Sequence, residues 1–295
     1  MTMTATNEDA CKYFQFSFEV FPPKKNAPIE VIYDTVAELS KLRPDYISVT
    51  YGAGGGAATA SATVEICSLI KNTYKTETVA HLPGINLSKD QVSSLLQRLK
   101  AHNIDRVLAL RGDRRPSDDP RLQEGDFHYA VELVRFIKSV DAKNFFQISA
   151  ACYPEVHCDA PDAATDLLRL KEKVTAGTSL LISQLFFDNS RFYDFVQRAR
   201  STGIDVPIQA GIMPLANIRQ AKHITKLCNP HIPKDLQAIF DKYESGDKSF
   251  HAAAIDFASR QIMDLKDHGV EGVHLYTMNS PKTASEISEN IGWKP

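Results

Sequence analysis

Eight short apolar runs recur along this chain, and most of them stop at a polar residue, a glycine or a proline. They read FSFEVF (Phe16–Phe21), YISVTYG (Tyr46–Gly52), VAHLP (Val79–Pro83), RVLALRGD (Arg106–Asp113), QISAACYP (Gln147–Pro154), LLISQLFF (Leu180–Phe187), PIQAGIMP (Pro207–Pro214) and GVHLYTMN (Gly272–Asn279). Segments of helical period lie between almost every pair. Eight alternations of strand and helix are what a (β/α)8 (TIM) barrel requires, and in that fold the chemistry sits at the carboxyl ends of the strands. The predicted fold is therefore α/β, with an eight-stranded parallel barrel. Glu19, Thr50, His81, Asp113, Tyr153, Gln184 and Tyr276 are predicted to converge on one mouth.

Runs such as RVLALRG and LLISQLFF are nearly continuous in apolar residues, as parallel strands buried on both faces require. No Asn-Gly or Asp-Gly hairpin turn joins consecutive strands. Helix signals fill the gaps. Ser88 to Gln91 is a capping box ahead of an apolar stripe at Val92, Leu95, Leu96 and Leu99. Asn189 is the predicted cap of RFYDFVQRARS, which Gly203 stops, and Pro161-Asp162 opens AATDLLRLKEKV, which Gly177 closes. Ile29 to Leu42 places Val31, Ile32, Val36, Leu39 and Leu42 on one side. Two connections exceed the minimum. Arg114–Asp126 reads as a lid or binding loop after the fourth strand, and Asn229–Phe250 holds an extra helix, Lys234–Tyr243, before the last strand. Neither resembles a linker, so one catalytic barrel domain over residues 1–295 is expected, with 1–13 a flexible N-terminal segment.

A net charge of −2 offers no footprint for nucleic acid or an anionic membrane surface. No apolar run approaches the roughly 20 residues of a membrane span, and residues Met1–Lys12 do not read as a signal peptide. Five cysteines without a CxxC pair point to reduced thiols and a cytoplasmic location. Cys152 and Cys158 flank His157, but the spacing matches no common zinc pattern, and no metal is expected.

Gly52 to Ala57 superficially fits a dinucleotide fingerprint, yet the next strand ends Ala80-His81-Leu82-Pro83 without the acid that would hold a ribose. In a barrel these glycines would instead let backbone approach a ligand. Glu19 shares a strand face with Ser17 and Phe21, and a carboxylate in so apolar a run is seldom core filler. Its structural alternative is an ion pair with a basic residue inside the barrel. Asp113, taken alone, reads equally well as a helix cap. His81 and His157 read as core histidines or metal ligands, but the first strand lacks the H-x-H pair of metal-dependent hydrolases built on this barrel.

Together FSFEVFPPK, SVTYGAGG, LALRGD, AACYPEVH, DLLRLKEKVTAG, SQLFFD, AGIMP and LYTMN resemble the methylenetetrahydrofolate reductase family, in order and over nearly the whole chain. The length is similar to the short bacterial type, a catalytic barrel alone. The resemblance implies a barrel that holds FAD, oxidises NADH or NADPH, and reduces 5,10-methylenetetrahydrofolate to 5-methyltetrahydrofolate in one-carbon and methionine metabolism. It implies that Glu19 is the general acid that helps open the imidazolidine ring at N10, leaving an N5 iminium to take hydride from the reduced flavin. It also implies that Asp113 lies near flavin and pterin, and that Gln184, Gln220 and Tyr276 meet substrate. Thr50, Tyr51, Ala53, His81, Arg111, Gly112, Asp113, Ala130, Tyr153, His157, Asp166, Arg169, Glu172 and Lys173 match positions that line the FAD.

Several residues depart from the family pattern. GAATASAT replaces a polar run with arginines, Arg169 stands where asparagine is common, and Glu172 where a basic residue is frequent. Leu-Pro-Gly follows His81 in place of Leu-Thr-Cys, and Ser280 occupies a position where an arginine can meet substrate. The altered FAD segment motivates an alternative, a flavin-free or partner-dependent reductase fed by an electron-transfer subunit. A non-catalytic folate-binding subunit is a further alternative. A homo-oligomer is expected, with the extra helix as a contact surface.

Overall fold

Along β1 (Gln15–Val20) the side chains divide by parity. Phe16, Phe18 and Val20 are fully buried against the surrounding helices, whereas Ser17 and Glu19 point into the space the strands enclose. The same division holds around a closed, all-parallel barrel in the order β1-β2-β3-β4-β5-β6-β7-β8, with β1 paired to β8. The remaining strands are β2 (Ile47–Val49), β3 (Thr78–Pro83), β4 (Arg106–Leu110), β5 (Gln147–Cys152), β6 (Leu180–Ser183), β7 (Ile208–Ile212) and β8 (Gly272–Tyr276). The structure is a computed structural model that describes residues 13–23, 28–51, 57–112, 125–215, 217–243 and 248–294, except the side chains of 57–59, 222, 225–227 and 248. The proposed N-terminal segment 1–13 therefore lies outside the described residues but for Tyr13, and so do Ala53, Asp113 and the loop residues 114–124.

The helices are α1 (Val31–Lys41), α2 (Ala57–Ser68), α3 (Lys89–Ala101), α4 (Ala130–Val140), α5 (Ala163–Thr175), α6 (Asn189–Ser201), α7 (Ile218–Cys228), α8 (Lys234–Lys242), α9 (Lys248–Asp267) and α10 (Pro281–Asn290). A π-helical turn, Leu69–Thr73, continues α2. α3 starts with the predicted capping box, Ser88 accepting from the Gln91 N–H. α5 is capped by the Asp162 carboxylate, which accepts from the Thr165 N–H, and Gly177 beyond its end has φ +121°. α8 is the extra helix before the last strand; its Leu236 is buried beside Phe250 and Ala254 of α9.

Three expectations need correction. Asn189 is not the cap of α6: Asp188 accepts from the Ser190 N–H, and the Asn189 amide instead donates to Gln261 O and Asp264 Oδ2. Val31 is 59% exposed, because α1 buries Ile32, Val36 and Leu39 and turns its first residue outward. Several ladders also end before their apolar runs do. β6 stops at Ser183 and leaves Phe186 to stack on Phe192 of α6, while β8 stops at Tyr276 because Met278 and Asn279 turn at positive φ. Apolarity marks burial, and burial continues past the last ladder bond.

Candidate active site

The barrel interior is polar at the level of Glu19. In the β1–β2 and β1–β8 registers, Glu19 lies opposite Ser48 and Tyr276, and Ser17 opposite His274. Glu19 Oε2 lies 3.5 Å from His81 Nε2 and 3.8 Å from His274 Nε2. His274 has no solvent exposure and makes two side-chain contacts, Nδ1 to Ser17 Oγ at 2.7 Å and Nε2 to Ser48 Oγ at 3.0 Å. Below them the Tyr46 hydroxyl donates to Gln209 Oε1, and Gln209 Nε2 donates to Gln15 Oε1 at 2.7 Å. Burial drives His81 down to about 4, outweighing the pull of Glu19, so its ring is neutral near pH 7.

The far side of Glu19 is framed by β8. The Tyr276 hydroxyl donates to Ser183 O at 2.7 Å, and burial raises its pKa well above that of a free phenol. Gly211 makes room for it, since a Cβ there would strike both Ser183 O and the Tyr276 ring. Thr277 Oγ1 donates to Glu19 O at 2.6 Å, and Asn279 grips Phe21 through both its N–H and its carbonyl. These bonds fix the backbone on either side of the carboxylate. Gln184 follows β6 directly; its N–H donates to Cys152 O, and its Oε1 accepts from Leu185 N.

A second cluster forms the rim between β4, β5 and α5. Arg111 donates to Asp159 Oδ2 at 2.6 Å, and the His157 N–H donates to Asp166 Oδ2 at 3.0 Å. Tyr153 meets the His157 ring edge to face at 4.5 Å. The Lys173 ammonium donates to Ala151 O at 2.5 Å, and burial lowers its pKa. Burial, followed by the Arg111 charge, also lowers His157. Asp166, Leu170 and Lys173 recur at helical spacing, so one face of α5 brings the last two charges of this cluster to β5. Gly112 holds φ +88° immediately after Arg111, a conformation that disfavours any other residue.

The remaining predicted residues are more dispersed. The Thr50 N–H donates to Val20 O, its carbonyl accepts from Thr63 Oγ1, and Tyr51 is half-buried, its phenol raised by that burial. Ala130 opens α4, and Gln220 lies in the first turn of α7, which Asn217 caps. Arg169 and Glu172 are exposed on α5, and no described contact joins them to the rim cluster. Ser280 caps α10, accepting from the Thr283 N–H, which accounts for a serine at that position. His157, Cys158 and Asp159 place ligand atoms within 4.8 Å of one another, but Asp159 is bound to Arg111 and His157 Nδ1 already accepts the Asp159 N–H.

Sequence reasoning missed His274, Ser48, Gln209 and Asp159 as parts of the site. The first three carried a usable signal: each is a polar residue flanked by apolar ones within a strand. Asp159 carried none, since its pairing with Arg111 spans two separate strand ends.

A model of the methylenetetrahydrofolate reductase family matches residues 4–292. The chain is 36% identical over 94% of its length to methylenetetrahydrofolate reductase (NADH) 1 of Arabidopsis thaliana, and it spans about half, 48%, of that relative. It is 35% identical to the 5,10-methylenetetrahydrofolate reductase of Escherichia coli K12, with 95% of this chain and 91% of the relative covered. A solved structure of an uncharacterised Clostridium thermocellum protein, described as binding two copies of 5-methyl-5,6,7,8-tetrahydrofolic acid, superposes with a TM-score of 0.62 at 12% identity. It covers 96% of each chain, and at that identity it speaks to the fold alone. Among the described residues no helix is long and apolar enough to cross a membrane.

Proposed function

The chain belongs to the methylenetetrahydrofolate reductase family, and on that premise we propose that it reduces 5,10-methylenetetrahydrofolate to 5-methyltetrahydrofolate with electrons from NAD(P)H carried by bound FAD. The observation that carries this reading is the place of Glu19. Its carboxylate sits at the barrel mouth beside two buried imidazoles, and among the described residues no lysine or arginine pairs with it. A structural carboxylate in such a place would need a cation. An acid that gives up and regains a proton does not.

The residues of the mouth fit a large, anionic, planar cofactor. His81 Nε2 is buried without a hydrogen-bond partner, so it still has capacity for one more group at the mouth. Arg111 and Lys173 supply the cations a diphosphate requires, and Gly112 permits close backbone approach. We assign Thr50, Tyr51, His81, Arg111, Gly112, Tyr153, His157, Asp166 and Lys173 to holding FAD. Ala53 and Asp113 join them from outside the described residues, Ala130 from the start of α4, and Arg169 and Glu172 from the exposed edge of α5. Bound there, FAD would supply the hydride chemistry that links NAD(P)H to the folate.

The chain's own contribution is a proton and a fixed geometry. Glu19 delivers its proton to the folate N10 as the ring opens, and Thr277 and Asn279 keep its backbone from shifting as charge changes. Gln184, Tyr276 and Gln220 orient the pterin and its tail. The test is the purified protein itself. We expect a yellow protein whose flavin absorbance bleaches with NAD(P)H and returns when methylenetetrahydrofolate is added. A colourless protein that neither binds FAD nor oxidises NAD(P)H would refute this reading in favour of a binding subunit or a partner-fed reductase.

A further inference from the structure

We infer that Glu155 is a positioning residue of the cofactor rim: its carboxylate braces the next residue, Val156, in a left-handed backbone conformation and so fixes Tyr153 and His157 on either side of the turn. The inference rests on the proposed reductase reading and deepens it, since those two residues are among the ones assigned to FAD. Val156 has φ +70°. A β-branched side chain seldom adopts that conformation, because its Cβ crowds the backbone there. Most of the described non-glycine residues at positive φ are asparagines, which tolerate it, and among them Val156 alone is β-branched.

The turn is tied at both ends. Pro154 fixes its own φ and keeps Tyr153 out of the helical region. The Val156 N–H donates to Tyr153 O at 3.3 Å, closing a four-residue turn. His157 leaves it with its N–H on Asp166 Oδ2 at 3.0 Å and its carbonyl accepting from the Ala160 N–H at 2.8 Å. The rings of Tyr153 and His157 then meet edge to face, 4.5 Å apart. A negative φ at Val156 would redirect the chain between them and part those rings. Apolar packing does not account for the strain, because Val156 is half-buried and lies outside the apolar clusters of the described residues. Such a residue persists only where its surroundings over-determine it.

Glu155 supplies that constraint from outside the turn. Its Oε2 accepts the His231 N–H at 2.8 Å, from the segment between α7 and α8. Its Oε1 lies 3.7 Å from Arg191 Nε on α6 and is buried, with no hydrogen bond among the described residues. Arg191 Nε also faces Asp188 at 3.8 Å, and His231 Nε2 approaches that same carboxylate to 3.7 Å. The Glu155 side chain is only 18% exposed, so leaving these partners without reaching water would strand its charge. The carboxylate therefore anchors the turn to α6 and to the segment after α7, the helix that carries Gln220.

Glu155 acts on the cofactor through the backbone of Val156, and that route can be separated from a general loss of stability. The experiment uses the purified flavin-loaded enzyme, with FAD dissociation on dilution followed by flavin fluorescence. Glu155→Ala should weaken FAD binding about 10-fold, the equivalent of one hydrogen bond to a charged group. Val156→Gly alone should leave the affinity within about twofold, because glycine takes positive φ without strain. In the Val156→Gly background, Glu155→Ala should cost less than about threefold, since the turn no longer needs its brace. Hydrogen exchange of the His157 amide should follow the same pattern, faster in Glu155→Ala and restored toward the wild-type rate in the double variant. Should Glu155→Ala fail to fold, Glu155→Asp keeps the charge on a shorter arm and is carried through both backgrounds with the same expectations.

An equal loss of affinity in the valine and glycine backgrounds overturns the inference, as does a Glu155 variant that holds FAD like the wild type. A 10-fold loss from Val156→Gly alone overturns it too, since the valine side chain would then be what the cofactor needs. A wild type that binds no FAD sinks the functional reading and this inference with it. A wild type that binds FAD while the two backgrounds respond alike sinks this inference alone.

Discussion

The barrel floor beneath Glu19 and the rim between β5 and α5 are both rich in polar side chains, yet they satisfy them by different means. On the floor, Ser17, Ser48 and His274 are buried from solvent and joined by hydrogen bonds through the two ring nitrogens. At the rim, Arg111 pairs with Asp159 at the solvent edge, and the Asp166 charge acts on the largely buried Lys173. Hydrogen bonds in a buried space set orientation. Charged groups at the rim set affinity, and salt screens those that lie near solvent. The contrast teaches that chemistry and binding are separable in this site, and each substitution below should fall on one side of that line.

The largest effect expected is that of Glu19→Gln. The amide conserves shape but has no proton to deliver, so the folate half-reaction should fall by about 10² to 10⁴ while flavin binding and NAD(P)H oxidation persist. Stopped-flow measurement of the two half-reactions checks this, and loss of both together would erase the division between floor and rim.

Lys173→Met should act at the rim. Loss of one charge-assisted hydrogen bond corresponds to about 10- to 100-fold in FAD affinity. Fluorescence titration of the apoprotein measures it, and the folate half-reaction of flavin-saturated variant should stay near that of the wild type. An unchanged affinity would remove Lys173 from the cofactor's contacts.

His81 stands beside Glu19 and should report on acid stability. The unfolded chain takes up the imidazole proton below a pH of about 6.5, whereas the folded chain resists until about 4. Stability from this group is therefore complete above about pH 6.5 and is lost as pH falls toward 4, reaching about 2 kcal/mol of loss at pH 5. Unfolding free energies from urea titrations at pH 7 and pH 5 should differ less in His81→Gln than in the wild type by that amount. Equal pH dependence in the two would show that the His81 ring is solvated.

Glu172→Arg should do least. The side chain is exposed and adjacent, not parallel, to Lys173 on α5. A change in FAD affinity below about twofold at low and high salt is expected. A gain of tenfold that salt abolishes would extend the rim cluster to this residue and show that its departure from the family pattern weakens the cofactor's hold.

The eight strands and the helices between them were legible because parity and helical period are local properties. β1 reads F-S-F-E-V, and that pattern alone sends Glu19 inward. The capping box at Ser88 and the Asp162 cap were readable for the same reason. Asn189 was misread because a cap depends on which of two adjacent polar side chains turns back to the backbone, and Asp264, 75 positions away, draws the asparagine elsewhere.

Sequence alone determined the alternation of strand and helix, the strand-end position of Glu19 and the motifs that mark the family. Only tertiary structure decided what stands beside that carboxylate. Ser17 and His274 are 257 positions apart, and they meet because closing the barrel pairs β1 with β8. Closure also sets Glu19 between imidazoles from β3 and β8 with no cation beside it among the described residues. The proton state of an acid depends on its neighbours in space, and chain order does not specify those until the last strand returns to the first.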